Sequence, residues 1–185
     1  MEDRVKNILT SMSSVKKAQR VFMIYLLAAF MVFQGKATMT HLSHYSAMSE
    51  KRFRRHFQRS FDFLQFNSQL LADSQVLGDE RIAAIDASFM KKSGNKTEGL
   101  SWFYNGSESR VQKGLEISLM ALIDIQSNTA YALNAEKTLD DPSRSRLDQY
   151  TQQVVQQAFK LKPLNVDYLV ADAYYSKASF VRGFK

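Results

Sequence analysis

Two apolar stretches that each carry an aspartate constrain this chain more than any other feature. Asp86 stands inside the run Ala-Ala-Ile-Asp-Ala-Ser-Phe of residues 83–89, and Asp172 follows Tyr-Leu-Val-Ala within residues 166–174. Short apolar runs of this kind are typical of buried β-strands. A carboxylate taken into a core costs several kcal/mol unless a positive group compensates it. The pair therefore predicts a divalent-metal site at Asp86 and Asp172.

Length and composition narrow the class of protein. The 185 residues have room for one domain, or for a small helical unit joined to a larger domain. The absence of cysteine excludes disulfides, thiolate metal sites and cysteine nucleophiles, and it is typical of a reducing cytoplasm. The apolar segment 21–33 is shorter than the roughly 20 residues that cross a bilayer, so it predicts a buried helix and no membrane contact. The formal net charge of +7 favours a polyanionic partner.

The first part of the chain predicts a helix-turn-helix unit. Ser13 and Ser14 are candidate N-caps for a helix over residues 15–34 that Gly35 ends, and its Leu26 and Phe30 are expected to pack inside the unit. Shorter helices are predicted over residues 38–45 and 50–59, with a tight turn between them. The alternating aromatic segment 61–66 fits either a strand or an anchor into the next domain.

A cluster of cations marks the second of these short helices. Phe53 and Phe57 are predicted to pack on its buried face, and no acidic residue lies within residues 51–59. The pattern favours DNA contact through a helix-turn-helix, although a solvated basic surface is the alternative. The nearby His41, His44 and His56 lack a carboxylate or thiolate partner and do not predict a metal site. The candidate DNA-binding residues are Lys51, Arg52, Arg54, Arg55 and Arg59.

From residue 81 onward the pattern changes from helices to strands. Strands are predicted over 81–89, 114–124 and 129–135, followed by a helix over 144–161 and a strand over 166–174. A crossover helix between parallel strands brings those strands together, so Asp86 and Asp172 are expected to share a metal. This order is that of the ribonuclease H-like fold. The predicted fold class is α+β, with a helical DNA-binding region over 1–78 and an incomplete ribonuclease H-like α/β domain over 79–185.

The same residues resemble a known family. The runs 84–89, 102–106 leading to 113–116, and 168–176 together resemble the DDE transposases of bacterial insertion sequences, close to the insertion-sequence-four type. The resemblance implies an endonuclease that uses Mg²⁺ or Mn²⁺ to cleave transposon ends and to join them to target DNA. It also implies double-stranded DNA as the partner and a homo-oligomer on that DNA as a possible assembly. It makes Asp86 and Asp172 the first two catalytic and metal-binding carboxylates.

The third member of the family's triad, a glutamate on a later helix, has no counterpart after Asp172. The resemblance therefore covers the N-terminal portion of a transposase, truncated before the third acidic residue. Two alternatives stay open: a catalytically incomplete DNA-binding fragment of a transposase, and a ribonuclease H-like nuclease or resolvase unrelated to transposition. The aromatic residues Trp102, Phe103 and Tyr104 predict a packing cluster, with a base-stacking surface as the alternative.

Overall fold

A computed structural model describes residues 2–74 and 76–182. The chain divides between Leu70 and Leu71 into two compact units, one helical and one built on a β-sheet. This division supports an N-terminal part made of helices, followed by a part that contains both helices and strands. The assignment of DNA binding to residues 1–78 and of catalysis to residues 79–185 stays a prediction.

The helical unit is a bundle around one apolar core. Its core includes Leu9, Phe22, Leu26, Leu42 and Phe53, all buried. On the second helix the buried residues Phe22, Leu26 and Ala29 recur three or four positions apart, which places them on one inner face of the bundle. The helices are α1 (Glu2–Ser11), α2 (Lys17–Val32), α3 (Met39–His44), α4 (Glu50–Phe57) and α5 (Phe63–Ala72).

The helix boundaries differ in detail from the predicted ones. Lys16 and not a serine occupies the N-cap position of α2, so the predicted caps Ser13 and Ser14 are wrong. Thr38 caps α3 by accepting a hydrogen bond from the backbone N–H of His41 at 3.1 Å. The segment 61–66 enters α5 and is not a strand. The helices α3 and α4 lie where the helix-turn-helix is predicted, and that assignment remains a prediction.

Two of the predicted packing residues are exposed. Phe30 in α2 is 42% exposed and Phe57 in α4 is 52% exposed, whereas Leu26 is buried as predicted. The inner face of α4 is formed by Phe53 and His56 instead. The His56 ring stacks on Phe22 with a centroid distance of 5.3 Å. An aromatic side chain four residues from a buried one is therefore not enough to identify the buried face.

The buried imidazole of His56 makes the stability of the chain depend on pH. Burial lowers the pKa of His56, and the charges of Arg59, Arg52 and Arg55 lower it further. The unfolded chain then binds a proton that the folded chain does not, so the free energy of unfolding should fall as pH decreases below about 6.5. We expect at most about 1.4 kcal/mol per pH unit from this group.

Urea unfolding across this pH range tests the prediction. His56→Phe keeps a ring against Phe22 but removes the titrating group, so its pH dependence should be weaker than that of the wild type. His44→Gln, at an exposed position, should behave as the wild type does. Equal pH dependence in the wild type and His56→Phe would contradict the argument.

Among the described residues, no helix is long and apolar enough to cross a membrane. The apolar α2 instead contributes Phe22, Met23 and Leu26 to the core of the helical unit. This agrees with the prediction of a buried helix.

The second unit is a five-stranded mixed sheet with helices after its fourth and fifth strands. The long β3 pairs antiparallel with β1, β2 and β4, and β5 lies parallel to β1. The parallel β5 follows a helical connection, as predicted for a crossover. The elements are β1 (Arg81–Lys91), β2 (Ser101–Asn105), β3 (Arg110–Asp124), β4 (Thr129–Thr138), α6 (Arg146–Ala158), β5 (Leu169–Ala171) and α7 (Ala178–Arg182).

The helices and strands of this unit occur in the predicted order, with β2 as one additional strand. The hairpin of β2 and β3 was not predicted, since residues 101–105 suggested packing rather than pairing. The fifth strand is only Leu169–Ala171, and a turn of 3₁₀-helix, Phe159–Leu164, contains Pro163 rather than ending before it. A mixed α+β fold is confirmed, and it is compatible with a ribonuclease H-like domain.

One face of the sheet is covered by α6. Even-numbered residues of β3 from 114 to 124 are buried, whereas Leu119 on the opposite face is 39% exposed. The helix contacts the buried face, because Tyr150 donates a hydrogen bond to Glu116 and Gln153 donates one to the Ser118 carbonyl at 3.5 Å. A capping box at Ser145 and Asp148 begins α6. The unit therefore has one covered face and one open face.

Candidate active site

Asp86 and Asp172 are neighbours on the open face of the sheet. In the parallel ladder of β1 and β5, Ile85 pairs with Ala171. Each aspartate directly follows one residue of this pair along the chain. Asp172 keeps an extended backbone, with φ −71° and ψ 176°. Adjacent strands lie about 4.8 Å apart, and side chains of paired positions point to the same face. The crossover thus brings the two carboxylates side by side.

Both aspartates are exposed, so the prediction that they are buried in a core is wrong. The apolar residues around Asp86 suggested burial, but only the Ala83 and Ile85 face of β1 is buried. Asp86 Oδ1 accepts a hydrogen bond from the N–H of Ala87 at 2.8 Å, and Asp172 Oδ1 accepts one from the N–H of Tyr174 at 2.9 Å. Each carboxylate keeps acceptor capacity toward the open face.

The donor set fits a hard divalent cation. Carboxylate oxygens are the ligands that Mg²⁺ and Mn²⁺ prefer, and these ions keep several waters when a protein offers one or two carboxylates. Within residues 2–74 and 76–182, no group of three or more His, Asp or Glu side chains lies close enough together to hold a metal. The described part of the chain therefore offers a pair of carboxylates and no complete triad.

Tyr175 was missed by the sequence analysis and lies close to the pair. Its side chain is buried, and its hydroxyl has no hydrogen-bond partner among the described residues. Burial raises the pKa of Tyr175, and the negative charges of Asp86 and Asp172 raise it further. The hydroxyl therefore stays protonated, and the Tyr175 ring packs against Tyr150 of α6 with a centroid distance of 5.3 Å.

Glu116 is held in a separate polar cluster on the covered face. Tyr150 donates a hydrogen bond to its carboxylate, and Arg146 lies 3.7 Å away from Glu116. Burial, followed by the hydrogen bond to Glu116, raises the pKa of Tyr150. Glu116 pairs with Phe89 and Asp86 pairs with Leu119, an odd number of residues apart, so the two carboxylates point to opposite faces. Glu116 is not a third ligand of the pair.

Comparison with known proteins places the chain in a family. The family model described as DDE superfamily endonuclease matches residues 8–184, nearly the whole chain. The chain belongs to the DDE superfamily endonucleases. The match includes Asp86 and Asp172. A search of curated proteins finds no significant match.

The predicted DNA-binding cations of this DDE superfamily endonuclease lie in and just after α4, and all of them are exposed. Arg54 is paired within the helix, because its Nε donates a hydrogen bond to Glu50 at 2.7 Å. Arg59 lies two residues beyond the end of α4. Packing by Phe53 and His56 leaves the cations Lys51, Arg52 and Arg55 on the outer side of α4, and Arg59 is exposed just beyond the helix.

The histidines of this endonuclease do not form a metal site among the described residues. His56 is buried against Phe22, away from solvent. The rings of His41 and His44 lie 6.4 Å apart, and His41 also packs against Tyr45 at 5.4 Å. Their contacts are those of aromatic side chains on a helix surface.

The aromatic run on β2 is divided between the two faces of the sheet. Phe103 is fully buried, whereas Trp102 is 63% exposed and Tyr104 is 56% exposed. The guanidinium of Arg146 lies 4.6 Å above the Phe103 ring. The packing interpretation therefore applies to Phe103 alone, because period-two alternation turns its neighbours outward.

Proposed function

We propose that this endonuclease is the transposase of a bacterial insertion sequence, of the insertion-sequence-four type, which cleaves transposon ends and joins them to target DNA. One observation carries the proposal. Asp86 and Asp172 lie side by side, in register, on the open face of a mixed sheet, in a chain whose family is that of the DDE endonucleases. An open face leaves room for a DNA strand at the carboxylates.

Asp86 and Asp172 would hold Mg²⁺ or Mn²⁺. When bound, a divalent ion at such a site activates a water or hydroxyl and stabilises the leaving oxygen of a phosphodiester. The protein's part is to fix the two carboxylates: β1 sets the position of Asp86 through pairing on both sides, and Asp172 is fixed by its hydrogen bond from Tyr174.

The cations of α4 would hold double-stranded DNA. Arg52 and Arg55 in α4 and Arg59 just after it are exposed, so each can reach a phosphate. Arg54 contributes less because Glu50 already pairs with it. The helical unit would thus supply affinity, and the sheet unit would supply the carboxylates.

A catalytically incomplete DNA-binding fragment is the second candidate. It is favoured by a single observation, that within residues 2–74 and 76–182 no third His, Asp or Glu side chain joins the pair in a metal-binding group. The third carboxylate of a DDE triad would complete the ligands of the metal site. Without it, the chain would occupy DNA ends through α4 and cleave nothing.

A plasmid nicking assay distinguishes the two functions. The transposase proposal predicts Mn²⁺-dependent nicking of supercoiled DNA that Asp86→Asn and Asp172→Asn each abolish, because either change removes a metal ligand while keeping the side-chain volume. Asp167→Asn is the matched control: Asp167 is exposed and precedes β5, so this variant should nick as the wild type does.

DNA binding without nicking by the wild type would instead support the fragment. Nicking that persists in Asp86→Asn and Asp172→Asn would contradict the site assignment, since the activity would then come from elsewhere. Gel retardation with the same plasmid shows whether each variant still binds DNA.

A further inference from the structure

A basic groove borders the exposed aromatic surface of the β2–β3 hairpin. Its volume is about 630 Å³, and it is lined on one side by the indole of Trp102. Arg110 is paired with Glu108 through a hydrogen bond at 2.9 Å, which leaves the net positive charge of the groove to its lysines. The cations that line it are Lys91, Lys92, Arg110 and Lys113.

Trp102 is held in place although its side chain is exposed. Arg146 donates a hydrogen bond to the Trp102 carbonyl at 3.2 Å, and the same guanidinium lies over the ring of the adjacent Phe103. The flanking strand β3 pairs with β2 over all five residues. The backbone beneath the indole is therefore held by β3 and by Arg146, and the flat face of the exposed ring remains accessible to a ligand.

Trp102 and Lys113 of the groove lie on the same face of the sheet as the aspartate pair, whereas Lys91 and Arg110 lie at positions of the other face. Trp102 pairs with Lys113 and Asp86 pairs with Leu119, and these two β3 residues are an even number of positions apart. Six residues of strand span about 20 Å. A nucleic-acid strand of several nucleotides would therefore reach from the indole to the carboxylates.

We propose that this groove binds unpaired nucleotides of a DNA strand, with one base stacked on Trp102, and feeds that strand along the open face toward Asp86 and Asp172. The inference rests on the proposed function for the identity of the polymer as DNA. Lysine ammonium groups supply charge for the phosphates, and the indole supplies a flat surface that any base can stack on. A paired duplex keeps its bases stacked internally and cannot offer one to Trp102 without opening.

The single tryptophan of the chain provides the measurement, since its fluorescence reports on this groove alone. Titration of the full chain with an oligothymidine of about ten nucleotides should quench the emission to saturation. Heparin, a polyanion without bases, should not quench it to a comparable extent. Absence of quenching by the oligothymidine, or equal quenching by heparin, would overturn the proposal.

Variants test the stacking contact separately. Trp102→Ala should weaken binding of a labelled oligothymidine by about 5- to 150-fold, the range expected for loss of one stacked base. Phe159→Ala removes another exposed aromatic side chain of the same unit and should leave this affinity unchanged. An unchanged affinity in Trp102→Ala would overturn the proposal.

The outcome is separable from that of the nicking assay. If the oligothymidine did not quench the fluorescence but nicking required Asp86, the proposal that the groove binds DNA would be overturned. The proposed transposase function would be unaffected. Quenching without nicking would support the groove and leave a DNA-binding fragment as the function.

Discussion

Replacing Arg52, Arg55 and Arg59 by alanine is expected to lower duplex DNA affinity and to flatten its salt dependence. Each phosphate contact contributes roughly 0.9 to the slope of log affinity against log salt, so the triple variant should lose about 2.7 from that slope. The side chains are exposed, whereas the residues that pack α4 are Phe53 and His56. The substitutions should therefore leave the fold intact.

A matched variant controls for net charge. Arg4, Lys16 and Lys17 are exposed cations of the same helical unit that lie outside α4. Their triple alanine variant has the same net charge as the α4 variant, so it should retain most of the wild-type slope. If the two triple variants lost the same amount of slope, DNA affinity would depend on the total charge of the chain, and α4 would have no special part in it.

The sheet could be predicted because its pattern is simple. Apolar runs around Asp86 and before Asp172, separated by a helical stripe, allow few arrangements other than parallel neighbours joined by a crossover. The register of β1 and β5 places the two aspartates one residue beyond paired positions, as that topology requires. The hairpin turn near Asn128 was also predictable, since Asn tolerates the left-handed backbone found there, with φ of 49°.

The exposure of the aspartates could not be predicted from the same pattern. An apolar run indicates a strand, but it does not say whether a helix covers one face or both. Here α6 covers the face of Ile85, and Asp86 lies on the other. The position of Tyr175 beside the pair depends on a 3₁₀ turn, Ala173–Tyr175, that begins directly after Asp172.

Helix faces were harder to assign where aromatic residues occupy both sides. In α4, His56 and not Phe57 completes the buried face with Phe53. The His56 ring stacks on Phe22, while its buried Nδ1 has no hydrogen-bond partner among the described residues. In β2, the three consecutive aromatic residues suggested one cluster, but alternation separates Phe103 from its neighbours.

Divalent-metal binding by the aspartate pair is the central claim. Two carboxylates on adjacent strands repel each other, and a divalent ion between them removes that repulsion. Loss of an outer-shell partner already weakens metal sites by roughly 10- to 100-fold, so loss of a direct ligand should cost at least as much. The claim concerns Asp86 and Asp172 alone and does not depend on cleavage.

The most direct test is a Mn²⁺ titration of the full chain, with free Mn²⁺ followed by electron paramagnetic resonance. We expect saturable binding by the wild type and by Asp167→Asn, and binding weakened by about tenfold or more in both Asp86→Asn and Asp172→Asn. Equal binding by the wild type and Asp86→Asn would contradict the assignment of the metal site.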